Sequence, residues 1–355
     1  MTINKRKINI IAEIGVNHNG NLSLAKKLIL TAKSCGADYV KFQNWKAEDL
    51  VTKNAEMAKY QIKNTKKKIK QIDLLKPLEL KNNSYRILKK YANKCKIQFI
   101  SSPFDDKNFD FLSDELLSKI IKIPSGEINN YLMLSRVNLN KHRLLISTGM
   151  SSINEISKTL NFIAKKKIYV FKKNKIKVNN EKILKFLKKK ICLLHCVTDY
   201  PVSNQYANLR AIETLSKFFK LPVGYSDHTL GISAPLIAVS IGAKYIEKHL
   251  TLDKNLRGPD HKASLNPVEF KEMVKQIRNY EQMIGDGIKK PQKCELINMK
   301  IARKSIVASC YILKGEMFTR NNITVKRPAG GLDPTRYFEI LGKKAKKNYM
   351  KDQKI

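Results

Sequence analysis

Eight short apolar, β-branched runs recur along the first 285 residues, and this rhythm constrains the fold more than any other feature. They are Ile8–Ile14, Tyr39–Gln43, Gln98–Ser102, Ile120–Pro124, Leu144–Thr148, Ile191–Cys196, Pro222–Ser226 and Lys244–His249. Most precede a stretch with the apolar spacing of an amphipathic helix, as in Leu22–Ser34, Ser151–Ala164, Leu209–Phe219 and Pro267–Met283. Strands alternating with helices form parallel βαβ units. Eight units in this length predict a closed (β/α)8 TIM barrel rather than an open doubly wound sheet. Helix starts are marked as expected: Ser152 supplies an N-cap hydroxyl with Glu155 three residues on.

Two segments exceed a minimal barrel. Ala47–Glu79 is long and polar and follows the second run, on the face where barrel enzymes carry their loops, so it reads as a substrate lid. Lys165–Lys190 is rich in Lys and Asn and reads as an insertion on the opposite face. Near Gly285–Lys293 the composition turns to Gly, Lys, Pro and Gln, a linker signature. The predicted organisation is therefore a barrel over 1–285, a linker over 286–297 and a small unit over 298–355 with short strands and tight turns. A unit of about 60 residues is marginal by itself, so it is expected to dock on something.

Composition excludes several classes. With 43% hydrophobic residues the chain is not wholly disordered. No apolar run approaches the ~20 residues that span a bilayer. Met1–Lys7 is basic, but the apolar run after it contains Glu13 and shows no small-residue cleavage site, so it reads as a first strand and not a signal peptide. The 69 Lys and Arg against 30 acidic residues give a formal charge of +39. This excess is mostly Lys and is spread over every segment, which reads as diffuse surface charge and not as a nucleic-acid or membrane footprint. Six cysteines, at 35, 95, 192, 196, 294 and 310, form no Cys-x-x-Cys pair and fit reduced thiols in a cytoplasmic protein.

In a barrel of this kind the reacting groups stand at the carboxyl ends of the strands. Those ends carry Glu13, then Lys41 and Gln43, Ser101-Ser102, Lys122 before Ser125-Gly126-Glu127, Thr198-Asp199-Tyr200, Ser226-Asp227-His228, and Glu247 with His249 before Asp260-His261. Lys41 and Gln43, like Glu247 and His249, are two apart and share a strand face. Buried Lys and Glu are rare unless paired, so two Lys, two Glu and two His at five strand ends point to a site. Lys41, Lys122, Ser102 and Ser125 make a cationic, hydroxyl-rich patch suited to phosphate and carboxylate. His228 and His249 could share one divalent metal through neutral imidazoles. Glu13 is a candidate to orient a hydroxyl or a water. His18 reads as a structural hydrogen-bonder, His195 as support behind the site and His261 as outside the metal shell; Cys192 and Cys196 read as core, and Trp45 either shapes the pocket or simply packs.

These motifs resemble the sialic acid synthase family over almost the whole chain. The resemblance rests on Ile11-Ala12-Glu13-Ile14-Gly15-Val16-Asn17-His18-Asn19-Gly20, Val40-Lys41-Phe42-Gln43, Ser102-Pro103-Phe104, Lys122-Ile123-Pro124-Ser125-Gly126-Glu127, Gly224-Tyr225-Ser226-Asp227-His228-Thr229, Glu247-Lys248-His249 and Gly258-Pro259-Asp260. The tail, Lys326-Arg327-Pro328 and Leu341-Gly342-Lys343, resembles the family's antifreeze-like (SAF, β-clip) domain. The resemblance implies condensation of phosphoenolpyruvate with an N-acetylated mannosamine-type sugar. In that reaction a divalent metal, Mn²⁺ first and Mg²⁺ or Co²⁺ otherwise, sits on His228 and His249 and polarises the sugar aldehyde. It implies that Lys41, Gln43, Ser102, Lys122 and Ser125 hold phosphoenolpyruvate and that Glu13 and Glu247 serve the sugar and the attacking water. Tyr200 and Asp260 would contact the sugar. In a domain-swapped homodimer Arg327 would reach the partner's site. No nucleic acid and no membrane enter this picture.

Within the family, Lys-Phe-Gln at 41–43 and Asn54…Ala58-Lys59-Tyr60-Gln61 lean toward N,N′-diacetyllegionaminate synthases, with N-acetylneuraminate synthase as the alternative. Three departures bear on the sugar: Asn44-Trp45 in place of Thr-Phe, Val197-Thr198-Asp199, and Ala329 where Gly is usual, a change that matters if the position needs φ > 0. Two other classes compete. A Schiff-base aldolase on Lys41 or Lys122 would be metal-independent. A non-catalytic polyanion- or sugar-binding module would bind with strong salt dependence and release no phosphate.

Overall fold

The computed structural model describes residues 7–172 and 175–355. Residues 1–6 of the basic start and 173–174 of the expected insertion lie outside the described residues. The strands are β1 Asn9–Gly15, β2 Tyr39–Asn44, β3 Gln98–Pro103, β4 Ile120–Ile123, β5 Arg143–Ser147, β6 Tyr169–Lys172, β7 Lys175–Val178, β8 Ile191–His195, β9 Val223–Asp227, β10 Tyr245–His249, β11 Ser305–Ala308 and β12 Ile323–Lys326. β1 to β5 and then β8 to β10 are neighbours in chain order and close on β1 through β10. Every pair in this ring is parallel. The eight predicted runs are its eight strands.

Strand parity builds the interior. Ile11, Tyr39, Ile100, Leu145, Cys192, Leu194 and Tyr245 form an apolar cluster of their own, the floor of the barrel lumen, with Ile120 packed on it. Side chains two residues apart share a face. Two residues beyond this floor the inward positions become Glu13, Lys41, Ser102, Lys122, Ser147, Cys196 and Glu247. The intervening residues, such as Ile10, Ala12, Val40, Ile121, Ile146 and Ile246, pack outward against the helical ring. The helices Leu22–Ser34, Ile153–Ile163, Ala211–Phe219 and Pro267–Met283 stand where periodicity put them. Ser152 caps its helix reciprocally: its Oγ accepts from the Glu155 N–H (3.3 Å) while Glu155 Oε2 accepts from the Ser152 N–H (2.8 Å).

The two long segments differ in role. Residues 47–79 hold the short helices Ala47–Leu50, Lys59–Thr65 and Gln71–Leu75. Leu75 and Leu78 bury against Val16, Trp45 and Ala47, with Leu50, Val51, Ile72 and Phe104 packed on them. Asn64 Nδ2 donates to the carbonyls of Tyr200 (3.0 Å) and Pro259 (2.7 Å), tying this segment to loops beyond β8 and β10. The 165–190 segment carries the antiparallel hairpin β6–β7 and the helix Glu181–Lys190. Tyr169 packs edge-on to Phe219 and donates its hydroxyl to that residue's carbonyl (3.0 Å). Phe219 ends a helix running antiparallel to the strands, so the hairpin stands at the amino ends of the strands.

The chain divides into compact units after Ile284. In the second, β11 and β12 pair antiparallel, and Ile306, Ala308, Ile312, Phe318, Ile323, Ile340, Ala345 and Tyr349 form its core. The helix Glu295–Ala302 begins inside the stretch 286–297 read as linker, with Glu295 Oε2 accepting from the Gln292 N–H (2.6 Å). Gly330 takes φ 104° while Ala329 stays outside the positive-φ region, so the alanine carries no backbone strain.

Candidate active site

The polar layer opens at the carboxyl ends of the strands into a cavity of about 320 Å³. Glu13, Lys41, Gln43, Ser102, Lys122, Ser125, Tyr200, His228, Glu247, His249 and Asp260 all line it. These are all the candidate residues from the sequence except Arg327, which is exposed and belongs to the second unit.

Charge in the cavity is arranged differently from the expected cationic patch. Lys41 Nζ lies 2.8 Å from Glu13 Oε2, 3.7 Å from Glu247 Oε1 and 3.3 Å from Ser102 Oγ. Lys122 Nζ donates to both oxygens of Glu247, at 3.0 and 3.2 Å. Ser226 Oγ donates to Glu247 Oε1 (2.8 Å) and Gln43 Nε2 to Glu13 Oε1 (2.9 Å). Both lysines are buried and thus paired with a carboxylate, as buried charge requires.

Burial and pairing push the two carboxyls apart. Burial is the largest influence on Glu13 and raises it, with Lys41 only partly opposing. Burial also opposes the charge on Glu247, but Lys122 and Lys41 outweigh it and hold the group down to about 2. Lys122 is lowered by burial, which Glu247 only partly offsets, whereas in Lys41 the nearby Glu13 and Glu247 overcome burial and raise it. Glu247 is therefore a fixed negative charge, and Glu13 is the more basic of the two carboxylates. Burial, and after it Glu13, raises Asp260 to about 7.

The two histidines stand with ring centroids 5.8 Å apart, and Tyr200 packs on His228 at 4.1 Å. His228 Nδ1 lies 2.6 Å from the Val197 carbonyl. A carbonyl only accepts, so Nδ1 carries the proton and Nε2 keeps its lone pair. His249 Nδ1 is buried without a hydrogen-bond partner, and the nearest carboxylate oxygen, Asp260 Oδ2, is 3.9 Å away. Burial lowers His228 to about 4 and takes His249 well below its ordinary value, keeping both neutral as ligands must be. An orphaned imidazole nitrogen beside a fixed one fits a divalent ion. Among the described residues no group of three or more His, Cys, Asp or Glu could hold a metal by themselves, so water or substrate would complete the shell.

Sequence reasoning missed several members. Cys196, read as core, lines the cavity, and its Sγ lies 3.1 Å from Ser125 Oγ. It follows the last residue of β8, so the inward parity of Leu194 carries it above the floor, and that parity was the available signal. Ser147 lines the cavity by the same rule, beside Ser226 from the strand end already singled out in the sequence. Trp45 both lines the cavity and packs, 3% exposed, edge-on to Phe104. Behind the site, Lys248 and Asp227 form a fully buried ion pair on the outward face, and Asp227 Oδ1 also accepts from Tyr225 Oη (3.0 Å) and from the Thr229 N–H and hydroxyl (both 2.8 Å). Outside the imidazole pair, His18 accepts from the Gly20 N–H (3.0 Å), His195 bonds the Ala207 carbonyl (2.9 Å), and His261 bonds Thr251 Oγ1 (2.7 Å).

A barrel with lysines, carboxylates and an imidazole pair at its strand ends defines an enzyme for small anionic substrates. The chain belongs to the NeuB family, which residues 28–289 match. It is 47% identical over 350 residues to an N,N′-diacetyllegionaminic acid synthase of Campylobacter jejuni, covering 99% of both chains. Its identity to an N,N′-diacetyllegionaminic acid synthase of Legionella pneumophila is 43%, covering 96% of this chain and 90% of the other. Among solved structures, the N-acetylneuraminic acid synthetase of Leptospira borgpetersenii superposes with a TM-score of 0.68 at 32% identity, covering 83% of this chain and 91% of the other. No helix among the described residues is long and apolar enough to cross a membrane.

Proposed function

We propose that this enzyme condenses phosphoenolpyruvate with 2,4-diacetamido-2,4,6-trideoxymannose to give N,N′-diacetyllegionaminate and phosphate. The near-full-length likeness to two diacetyllegionaminic acid synthases carries this reading over N-acetylneuraminate synthesis. Lys41, Lys122, Ser102 and Ser125 bind the phosphate and carboxylate of phosphoenolpyruvate, exchanging part of their bonding to Glu13, Glu247 and Cys196 for the substrate. Gln43 orients Glu13. Tyr200 and Asp260 hold the open-chain sugar so that its aldehyde carbon faces the alkene carbon of phosphoenolpyruvate.

The π pair of the alkene forms the new C–C bond as the aldehyde C=O π pair moves onto oxygen, and that oxygen takes up a proton from solvent to become a hydroxyl. The cation left at C2 is stabilised by the fixed charge of Glu247. Water adds to C2, with Glu13 taking its proton at a carboxyl oxygen, and the tetrahedral C2 then expels phosphate by C–O cleavage. A divalent ion, Mn²⁺ by preference, would be held by His228 and His249 and would supply Lewis-acid polarisation of the aldehyde. The second unit, read as an antifreeze-like domain, would carry Arg327 to the site of a partner chain in a homodimer. Unpaired cysteines accord with a cytoplasmic setting.

Phosphate release from phosphoenolpyruvate with Mn²⁺, run with and without chelator, tests the reading. Release with the diacetamido sugar and little with N-acetylmannosamine is expected. Release chiefly with N-acetylmannosamine would make the enzyme an N-acetylneuraminate synthase. Chelator-resistant turnover trapped by borohydride would favour the Schiff-base alternative.

A further inference from the structure

One wall of the cavity is apolar and is built separately from the barrel core. Val16, Trp45, Leu75 and Leu78 belong to a hydrophobic cluster of their own, with Leu50, Val51 and Phe104 packed against it, and all seven also line the cavity. Four of these seven, Leu50, Val51, Leu75 and Leu78, come from the 47–79 segment, and the others directly follow β1, β2 and β3. The only polar atom these side chains carry is Trp45 Nε1, which is buried and without a hydrogen-bond partner. The polar groups of the same segment that reach the cavity, Tyr60, Gln61 and Gln71, are a different set.

We infer that this wall is the specificity element of the site and receives the methyl carbon of a 6-deoxy sugar. The inference rests on the synthase reading above. The reacting aldehyde is C1 and must meet phosphoenolpyruvate among Lys41, Lys122 and Glu247 at the barrel axis. C6 is the carbon farthest from it along the open chain. The two acetamido groups each bring a donor and an acceptor, whereas the wall offers one donor, Trp45 Nε1, and no side-chain acceptor. A methyl needs neither and gains by leaving water. A hydroxymethyl at that place finds at most one donor, Trp45 Nε1, and no side-chain acceptor for its own O–H among these Leu, Val, Phe and Trp side chains. Apolar pockets reject an added hydroxyl only moderately, by about 10- to 100-fold in kcat/KM.

The test uses a matched pair, N-acetylmannosamine and 6-deoxy-N-acetylmannosamine, which differ only in the C6 hydroxyl. Phosphate release by the full chain is followed with each. The wild-type enzyme is expected to favour the 6-deoxy sugar by about 10-fold or more. Leu75→Asn should bring that ratio toward one, and Leu75→Met should keep it. Leu78→Asn gives a second reading should Leu75→Asn not fold. Equal use of the two sugars by the wild type, or Asn variants that slow both sugars alike and leave the ratio unchanged, would overturn the assignment while leaving the synthase reading in place. No release with either sugar or with the diacetamido sugar would overturn both.

Discussion

Lys122→Met tests the charge lattice most sharply. Lys122 and Glu247 are each at most 5% exposed in their side chains, and the nitrogen sits 3.0 and 3.2 Å from the two carboxylate oxygens. At an effective dielectric of ~20 their attraction is about 5 kcal/mol, most of it offset by the cost of burying both charges. Removing the lysine leaves Glu247 with Ser226 at 2.8 Å and Lys41 only at 3.7 Å. Breaking one side of a buried pair costs about 3–5 kcal/mol, a large part of a net stability of about 5–15 kcal/mol. The same substitution removes a charged donor to phosphoenolpyruvate worth about 1.5–3 kcal/mol, or roughly 10- to 150-fold in KM.

Lys122→Met with Glu247→Gln should recover about 2 kcal/mol of that stability, because no uncompensated charge remains. It should recover none of the KM. The single tryptophan, Trp45, lies in the cavity wall, so urea unfolding followed by its fluorescence reports on the barrel. Strictly additive losses in the double variant would show that Lys122 does not neutralise Glu247, and an unchanged KM for phosphoenolpyruvate in Lys122→Met would show that it does not bind that substrate.

Three further outcomes are expected. A Cβ at Gly149 would lie 2.5 Å from Thr198 Oγ1, 2.8 Å from Ser125 Oγ and 3.0 Å from Cys196 Sγ, so Gly149→Ala should raise the KM for phosphoenolpyruvate by about 10-fold; steady-state kinetics with an unchanged KM would contradict this. Chelation should abolish phosphate release, Mn²⁺ should restore it, and equilibrium dialysis should find weaker Mn²⁺ binding by His228→Gln than by the wild type. Burial lowers His18 and His261 to about 4, below the 6.5 of the unfolded chain, so the unfolded state binds their protons first. Their stabilising contribution is present above pH 6.5 and lost as pH falls toward 4, at about 2–3 kcal/mol per pH unit near pH 5. Urea midpoints that stay level between pH 6.5 and 5 would be inconsistent with these burials.

The barrel was legible because strand parity and helix periodicity are local, so Ile8–Ile14 and Pro267–Met283 declare themselves within a few residues. The inward-facing Lys41, Lys122, Glu13 and Glu247 were legible for the same reason. Their pairing was not, since Lys122 and Glu247 are 125 residues apart in sequence and meet only across the closed lumen. The expected cationic patch is therefore a balanced lattice. Cys196 was misread because its chemistry is that of a core residue and only its height above Leu194 places it in the cavity. The hairpin β6–β7 and the helix Glu295–Ala302 hid in segments whose Lys-rich composition resembles loop and linker.

One mass spectrum shows which bond to the bridging oxygen of phosphoenolpyruvate breaks. Phosphoenolpyruvate labelled with ¹⁸O at its bridging oxygen is turned over with 2,4-diacetamido-2,4,6-trideoxymannose and Mn²⁺. C–O cleavage at C2 gives a coupled nonulosonate carrying no label, with the ¹⁸O in the released phosphate. Label retained in the coupled product, or the absence of any coupled product, would contradict this reaction.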